Sequence, residues 1–337
     1  MINHVYQLIS PRVISIRFED IQFADKVLVR PEYLALCHAD QRYYQGLRDT
    51  KTLKKKLPMA LIHECCGRVV FDPSGKIACG QKVVLVPNVP GKRSAVIFEN
   101  YAQGSVFRSS GYDGFMQELI SLDVDRVIPY DNIEPQVAAI TEFVSVAVHG
   151  VKRFDQIAHS IRDRIGIWGD GSLAYVVANV LHILFPKSEI FIIGRQQRKL
   201  AQFSFVYKTY LSEMLPDDFS IDHAFECCGG EGSYFAIRDI IRHINPQGAM
   251  VLMGVSEHEI PINTRMVLEK GLTLVGCSRS GRDDFETAVL LMKRSETQKR
   301  LRVIVSEDAP VRAIEDIHRV FENDLSTPFK TVFKWEL

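Results

Sequence analysis

The spacing of apolar residues divides the chain into two parts. Up to about residue 140, short apolar runs rich in β-branched residues alternate with Gly and Pro, which predicts a compact β-rich domain. Its clearest strands are expected at 26–30, 67–71 and 82–86. From 135 to 154, Ala, Val and Ile recur at helical spacing, so a helix is predicted there.

Beyond residue 160, predicted strands alternate with predicted helices. The strands are expected at 164–168, 189–193, 223–226, 248–253 and 272–276, and the helices at 172–184, 196–203 and 234–242. This alternation is typical of a doubly wound parallel sheet. A last strand-like run at 331–335 is expected to return to the first domain.

Composition excludes several classes of protein. A chain of 337 residues with 46% hydrophobic and 24% charged residues is typical of a globular protein with room for two domains. The 41 basic residues equal the 41 acidic ones, which argues against a nucleic-acid or membrane-surface protein. No apolar run is long enough to span a bilayer and no secretory signal is visible, so a cytoplasmic location is expected.

The cysteines do not suggest a disulfide framework, because there are seven of them, an odd number. Two pairs are adjacent in sequence, at 65–66 and 227–228, and adjacent cysteines are awkward partners for ordinary bridges. Every cysteine except Cys37 is therefore predicted to be a buried thiol that packs as a small apolar residue.

A glycine-rich turn follows the strand at 164–168 and precedes the helix at 172–184. Gly169 permits a tight turn, Gly171 lets the backbone approach a pyrophosphate, and Ala174 lets helix and strand pack closely. The N-terminus of the helix offers N–H groups to the same phosphates. The expected cofactor contacts in this turn are Gly169, Asp170, Gly171, Ser172 and Leu173.

The end of the next strand selects the nucleotide in such a site. An NAD site usually places an acidic residue there, bound to the ribose hydroxyls. Here Arg195 follows the strand, with Arg198 and Lys199 close behind, and a guanidinium suits a 2′-phosphate. NADPH is favoured, with Arg195 and Arg198 as contacts. The alternative is that both arginines belong to the solvated start of a helix.

Four residues of the first domain have the chemistry of zinc ligands. Zinc binds thiolate, imidazole and carboxylate groups in tetrahedral geometry, and a catalytic site leaves one position for water or substrate. Cys37 and His63 would supply sulfur and nitrogen, and one or both of Glu64 and Glu142 a carboxylate. The alternative is a buried thiol beside a satisfied core histidine.

Longer strings of residues resemble a known family, the zinc-dependent medium-chain dehydrogenase/reductases. The matching strings are 37–40, 58–64 with Gly67, 80–83, 113–118 and the glycine-rich turn. Within that superfamily the chain is most similar to the ribulose-5-phosphate reductases of the CDP-ribitol branch of teichoic-acid synthesis. The strings that carry this closer similarity are 39–44, 107–111, 166–171, 222–227 and 263–274.

The resemblance implies an α/β fold and an activity. A GroES-like β-rich catalytic domain is expected over 1–143 and 300–337, and a Rossmann NADP-binding domain over 144–299. The implied reaction is reduction of D-ribulose 5-phosphate by NADPH at a catalytic zinc, giving D-ribitol 5-phosphate for CDP-ribitol. The alternatives are another NADP-linked zinc polyol or sugar dehydrogenase, and a non-catalytic NADPH-binding partner of a cytidylyltransferase.

The resemblance also implies roles for single residues. The implied zinc ligands are Cys37, His63, Glu64 and Glu142. Asp40 lies where the family keeps an acid that orients the ligand histidine, and Tyr43 where polyol dehydrogenases contact substrate. Arg279 is expected among the cofactor contacts.

The substrate phosphate requires donors, and three arginines near the zinc motifs are candidates. They are Arg42, Arg48 and Arg108. A solvated surface is the alternative for each of them. The lysine run 54–56 is expected to be an exposed loop or helix face.

The chain departs from the family pattern at three places. The segment 87–114 lacks the four cysteines of a structural zinc, so one metal is expected. Ile62 replaces a common glycine. Ala39 replaces the Ser or Thr that relays protons, which leaves zinc-bound water, Glu64 or His38 as the proton donor. The superfamily also implies a homodimer, and the branch implies a complex with a ribitol-5-phosphate cytidylyltransferase.

Overall fold

The computed structural model describes residues 1–337 and separates them into two compact units. The first unit comprises Met1–Ser145 and Arg279–Leu337, and the second comprises Val146–Ser278. None of the helices combines the length and the apolar composition that crossing a membrane requires.

The strands, in chain order, are β1 (Ile2–Ser10), β2 (Val13–Asp20), β3 (Val27–Ala35), β4 (Met59–Ala60), β5 (Glu64–Phe71), β6 (Lys82–Leu85), β7 (Asn88–Val89), β8 (Val106–Phe107), β9 (Ile120–Leu122), β10 (Val127–Pro129), β11 (Arg164–Trp168), β12 (Glu189–Gly194), β13 (Lys208–Leu211), β14 (His223–Glu226), β15 (Ala249–Leu252), β16 (Thr273–Gly276), β17 (Val305–Val311) and β18 (Lys330–Trp335). The α-helices are α1 (His38–Tyr44), α2 (Thr50–Lys56), α3 (Pro135–Ala138), α4 (Thr141–Ile157), α5 (Ser172–Leu184), α6 (Gln197–Leu200), α7 (Gly232–His243), α8 (Thr264–Lys270), α9 (Arg282–Met292), α10 (Ser295–Val303) and α11 (Ile314–Asp324).

The first unit is rich in antiparallel strands, as its sequence predicts. Its main sheet has the order β10-β6-β5-β3-β18-β17, with β9 paired to β3, and β18 therefore joins the sheet of the first domain as expected. A second sheet has the order β2-β1-β4. The core between them includes Leu34, Phe115, Phe321 and Phe333, all at most 2% exposed.

The hairpin of β1 and β2 is not evident from the sequence. Strand β2 has no buried residue, and its half-buried and exposed positions largely alternate. Three of its residues, Arg17, Glu19 and Asp20, are charged. A strand of this kind has no apolar run to signal it. The predicted helix over 135–154 is also two helices, α3 and α4, because the chain turns at 139–140.

The lobe 87–114, which lacks the family's four cysteines, is held by an ion pair. Arg126 is 2% exposed and donates to both carboxylate oxygens of Glu99 at 2.7 and 3.2 Å. It also donates to the carbonyl oxygen of Asn88. All seven cysteines of the chain are free thiols, and two of them, Cys79 and Cys228, are exposed, contrary to the buried state predicted for them.

The second unit contains a six-stranded sheet whose order is β13-β12-β11-β14-β15-β16, with every pair parallel. This order reverses between β11 and β14, which is the arrangement of dinucleotide-binding sheets. The predicted alternation of strands and helices is therefore confirmed. Two elements, β13 and α8, escaped the sequence patterns because most of their residues are half-buried or exposed.

The second unit ends earlier than the predicted 144–299 domain. Residues 279–299 group with the first unit. The N–H of Arg282 donates to Glu99, and the Thr141 hydroxyl donates to the sulfur of Met292 at 3.6 Å. These contacts give α9 its place in the first unit.

Gly67 provides a test of the main sheet. A Cβ at Gly67 would lie 2.1 Å from the carbonyl oxygen of Arg30, where β5 passes β3. We expect Gly67→Ala to lower the free energy of unfolding by roughly 1–3 kcal/mol, because the strands must move apart. Gly276→Ala is the matched control, since a Cβ there meets nothing within 4 Å. Denaturant titration measures both, and equal stabilities would contradict the close approach.

Candidate active site

The start of α1 places a sulfur and a carboxylate together. Cys37 follows β3 in extended conformation and is the N-cap of α1. Asp40, three residues later, accepts a hydrogen bond from the Cys37 N–H at 3.2 Å, and its own N–H donates to the Cys37 carbonyl oxygen at 3.0 Å. This reciprocal capping fixes the Cys37 backbone.

The Asp40 carboxylate also reaches the histidine. It is fully buried, and its Oδ2 lies 3.7 Å from Nδ1 of His63. Its Oδ1 accepts from the Ile62 N–H at 3.0 Å and from the Ser109 hydroxyl at 2.5 Å. The structure thus brings Asp40 to the side of His63, although His63 Nδ1 makes no hydrogen bond, and the orienting role of Asp40 stays a prediction. It also adds Ser109, which sequence analysis did not single out.

The backbone before His63 is strained. Ile62 has a φ of 69°, a region that β-branched residues rarely adopt and glycine adopts freely. Its side chain is fully buried, and its carbonyl oxygen accepts from the Phe115 N–H at 2.7 Å. A Cβ at Gly114 would lie 2.3 Å from that oxygen. Surrounding contacts therefore hold Ile62 in a conformation that glycine would adopt without strain.

The proposed ligand groups form two overlapping clusters. One ligand atom each from Cys37, Asp40 and His63 lie within 4.8 Å of one another. The same holds for His63, Glu64 and Glu142. Glu64 is fully buried, yet its Oε2 has no hydrogen-bond partner. A buried carboxylate oxygen without a donor, beside a thiol, an imidazole and a second carboxylate, fits a zinc ion.

Lys330, at the start of β18, is a residue that sequence analysis missed. Its Nζ donates to Glu64 Oε1 at 2.5 Å and to the Leu36 carbonyl oxygen at 2.6 Å. It also lies 4.8 Å from the centroid of the Phe143 ring. Burial alone would lower the pKa of Lys330, but the charges of Glu64 and Cys37 outweigh that effect and raise it. The ammonium therefore balances one negative charge of the cluster.

Burial also raises the pKa values of the acidic groups in the cluster. It raises the pKa of the Cys37 thiol to about 12 and that of the Glu142 carboxyl to about 8. Burial raises the pKa of Glu64 as well, although the Lys330 charge opposes it. Without a metal, burial therefore favours the protonated forms of Cys37 and Glu142.

The residues predicted to bind substrate divide into two sets. Tyr43 is 3% exposed, and the Arg48 guanidinium lies 5.0 Å from its ring centroid. Arg42, in the last turn of α1, is half-buried. These three residues surround the same short helix, and their contact with substrate stays a prediction.

Arg108 has a different environment. Its terminal nitrogens donate to the carbonyl oxygens of Asp113 and Ser121 at 3.1 and 3.2 Å. Its guanidinium lies 5.0 Å from the centroid of the Tyr112 ring. Arg108 therefore ties the loop of Asp113 to strand β9, and we do not retain it among the phosphate-binding candidates.

The glycine-rich turn lines a cavity of about 570 Å³ in the second unit. Gly169 has a φ of 132°, and a Cβ there would lie 2.9 Å from the Cys227 carbonyl oxygen. Gly171 precedes α5, and a Cβ there would meet nothing within 4 Å, so its backbone is open to a ligand. Ser172 and Leu173 form the first turn of α5, where N–H groups point toward the helix N-terminus. The arrangement fits the pyrophosphate of a dinucleotide.

Asp170 shapes the rim of this cavity. Its Oδ2 accepts hydrogen bonds from the N–H groups of Arg195 and Gln196, both at 2.7 Å. A Cβ at Gly194 would lie 2.6 Å from the Cβ of Asp170, so only glycine fits at that point. Asp170 therefore fixes the backbone of the turn after β12.

Only some of the cations at this rim were predicted from the sequence. Arg195 and Lys199 line the cavity, together with Arg238, which sequence analysis missed. Arg198 is exposed and does not line it. Arg279, also predicted to contact the cofactor, belongs to the first unit, where its guanidinium lies 4.8 Å from the centroid of the Phe107 ring.

Comparison with known proteins identifies the family. Residues 24–132 match the alcohol dehydrogenase GroES-like domain. A ribulose-5-phosphate reductase of Streptococcus pneumoniae is 54% identical, covering 100% of this chain and 98% of the relative. One from Bacillus spizizenii is 48% identical and covers 100% of both. The chain belongs to the ribulose-5-phosphate reductase family. The resemblance seen in the sequence motifs is confirmed.

A solved structure of a similar protein shares the fold. The crystal structure of Staphylococcus aureus TarJ in complex with NADPH matches with a TM-score of 0.89 and 41% identity, covering 100% of each chain. The predicted fold class, a GroES-like domain with a Rossmann-type parallel sheet, is therefore confirmed.

The raised pKa of Glu142 predicts how stability depends on pH in the metal-free protein. Between the ordinary value of 4.5 and about 8, the folded state holds a proton that the unfolded state has lost. Stability therefore falls as the pH rises through this window. Denaturant titration of chelator-treated protein measures the slope, and Glu142→Gln should make it shallower. If the slope were unchanged in this variant, the raised pKa of Glu142 would not be the cause of the pH dependence.

Proposed function

We propose that this chain reduces D-ribulose 5-phosphate to D-ribitol 5-phosphate with NADPH, at a site that holds one catalytic zinc. The observation that carries the proposal is 54% identity, over the full length, to a ribulose-5-phosphate reductase. The buried cluster around His63 and the open glycine-rich turn provide the two sites that such a reaction requires.

The cluster supplies the residues that would hold the metal. Cys37 and His63 would provide sulfur and nitrogen, and Glu64 and Glu142 are the two carboxylate candidates. When bound, zinc acts as a Lewis acid that polarises the substrate carbonyl. Asp40, beside the histidine ring, would keep its orientation and tautomer.

The proton that completes the reduction requires a donor, because Ala39 has no hydroxyl. Glu64 is the group we propose. Its Oε2 is unpartnered within the cluster, and its Oε1 is held by the Lys330 ammonium. His38 is exposed, and the charges that act on it are those of Arg42, Arg48 and Asp324, away from the ligand groups.

The cofactor assignment rests on two observations. The S. aureus relative binds NADPH. Here Arg195 lies at the rim of the cavity, at the position where an NAD site places an acid. We propose that its guanidinium binds the 2′-phosphate, with Lys199 and Arg238 as neighbouring cations.

The cellular role follows from the family. The product would feed CDP-ribitol for teichoic acid, which implies a cytidylyltransferase partner. We also propose that the enzyme is a homodimer and that it is located in the cytoplasm. A catalytically silent NADPH-binding partner is the rival of a different class. The intact set of Cys37, His63 and Glu142 favours the enzyme.

An assay of NADPH oxidation tests the reaction. We expect turnover with D-ribulose 5-phosphate and much lower kcat/KM with unphosphorylated ribulose and with xylulose 5-phosphate. Cys37→Ser should lose both zinc content and activity, because it removes the thiolate ligand. Purified protein without zinc and without activity on any ketose phosphate would favour the silent partner.

The cofactor preference is tested at Arg195. Arg195→Ala should raise the KM for NADPH by about 10- to 100-fold, because a charge-assisted contact with the 2′-phosphate is lost, and change the KM for NADH little. Arg198→Ala is the matched control, since Arg198 does not line the cavity. Equal changes for the two cofactors would contradict the assignment.

A further inference from the structure

Two half-buried cations of the first unit lie beside the loop 107–110. They are Lys56, the last residue of α2, and Arg279, the residue at which the second segment of the unit begins. The charge of Arg279 acts on Lys56, and so does that of Arg48. The role of each cation follows from its surroundings.

Lys56 differs from the two lysines before it. Lys54 and Lys55 are exposed, as expected for a solvated helix face, whereas Lys56 is half-buried. Its Nζ donates to the carbonyl oxygen and the hydroxyl of Ser110. This contact turns Lys56 toward the loop 107–110. Both acceptors are uncharged oxygens, so they do not neutralise the ammonium, which has three donors in all.

Arg279 reaches the same loop from another element. Its φ is 60°, and its guanidinium lies 4.8 Å from the centroid of the Phe107 ring. The ring of His63 lies 5.2 Å from the centroid of that same phenylalanine. The guanidinium of Arg279 and the ring of the ligand histidine therefore both lie against Phe107.

The charges in this region are unbalanced. Burial lowers the pKa of Lys56, and the nearby positive charges of Arg279 and Arg48 lower it further, with no acid acting in the opposite direction. Burial likewise lowers the pKa of Arg279, and the charge of Glu142 opposes this effect. Clustered cations without acids are costly unless an anion joins them.

The loop 107–110 connects these cations to the metal cluster. Phe107 packs on His63, Ser109 donates to Asp40, and Ser110 accepts from Lys56. A ligand whose carbonyl lies at the cluster could carry an anion at its other end to the cations beside Phe107. D-ribulose 5-phosphate has this form, with the carbonyl near one end and the phosphate at the other.

We propose that Lys56 and Arg279 bind the phosphate of the substrate, beside Phe107 and the loop 107–110. The proposal deepens the function proposed above and rests on it. It replaces Arg108 with Lys56 as a phosphate donor and assigns Arg279 to the sugar phosphate instead of the cofactor.

Steady-state kinetics of Lys56→Met test the proposal. We expect the KM for D-ribulose 5-phosphate to rise about 10- to 100-fold, because a charged donor to the phosphate is lost. The kcat, the KM for NADPH and the slow rate with unphosphorylated ribulose should change little. Arg279→Met should act in the same way.

Two variants serve as controls for Lys56. Lys55→Met removes a lysine from the exposed face of the same helix and should behave as the wild type. Lys56→Arg keeps the positive charge and should retain most of the affinity for the sugar phosphate. If Lys56→Met raises the KM for NADPH instead, the anion is that of the cofactor and the proposal is overturned.

Binding of inorganic phosphate to the NADPH-loaded enzyme gives a readout that does not need turnover. Calorimetry should show phosphate binding to the wild type and to Lys55→Met, and at least tenfold weaker binding to Lys56→Met. If the wild type reduces ribulose 5-phosphate but Lys56→Met keeps its KM and phosphate affinity, the phosphate site is wrong and the function stands. If no ketose phosphate is reduced, the proposed function fails, whatever the phosphate affinity.

Discussion

The balance of charge inside the buried cluster is the constraint on which the first unit depends. Glu64 and Glu142 are buried beside the half-buried Cys37, and the ammonium of Lys330 contacts Glu64. Burying unpaired ions costs several kcal/mol each, so such a group either keeps its protons or accepts a cation. The ends of β3, β5, α4 and β18 all meet at this point. The fold thus concentrates ligand groups whose full ionisation a divalent ion would stabilise.

The ligand groups were predictable because their chemistry is visible residue by residue. Cys37, His63 and Glu64 belong to motifs, and the family resemblance added Glu142. Lys330 was not predictable, because it lies far along the chain and only the pairing of β18 with β3 brings it to Glu64. Metal ligands can therefore be recognised from their residue types and motifs, whereas the residues that balance their charge are brought to the site by the topology of the fold.

The same distinction applies to the fold. The parallel strands of the second unit carry nearly continuous apolar runs, so pattern alone located them. Strand β2 and helix α10 bury few residues and give weaker signals. Proximity in sequence also misled. Arg108 lies next to the motifs but points into backbone carbonyls, and Lys56 was masked by the exposed lysines beside it.

The contact of Asp170 with the turn after β12 has a consequence for how cofactor preference can change. The carboxylate binds main-chain N–H groups, so it holds the turn in place whatever side chain stands at position 195. The shape of the nucleotide cradle and the choice of nucleotide are therefore separate properties of the chain. Evolution or design can exchange the selecting side chain without rebuilding the loop that presents it.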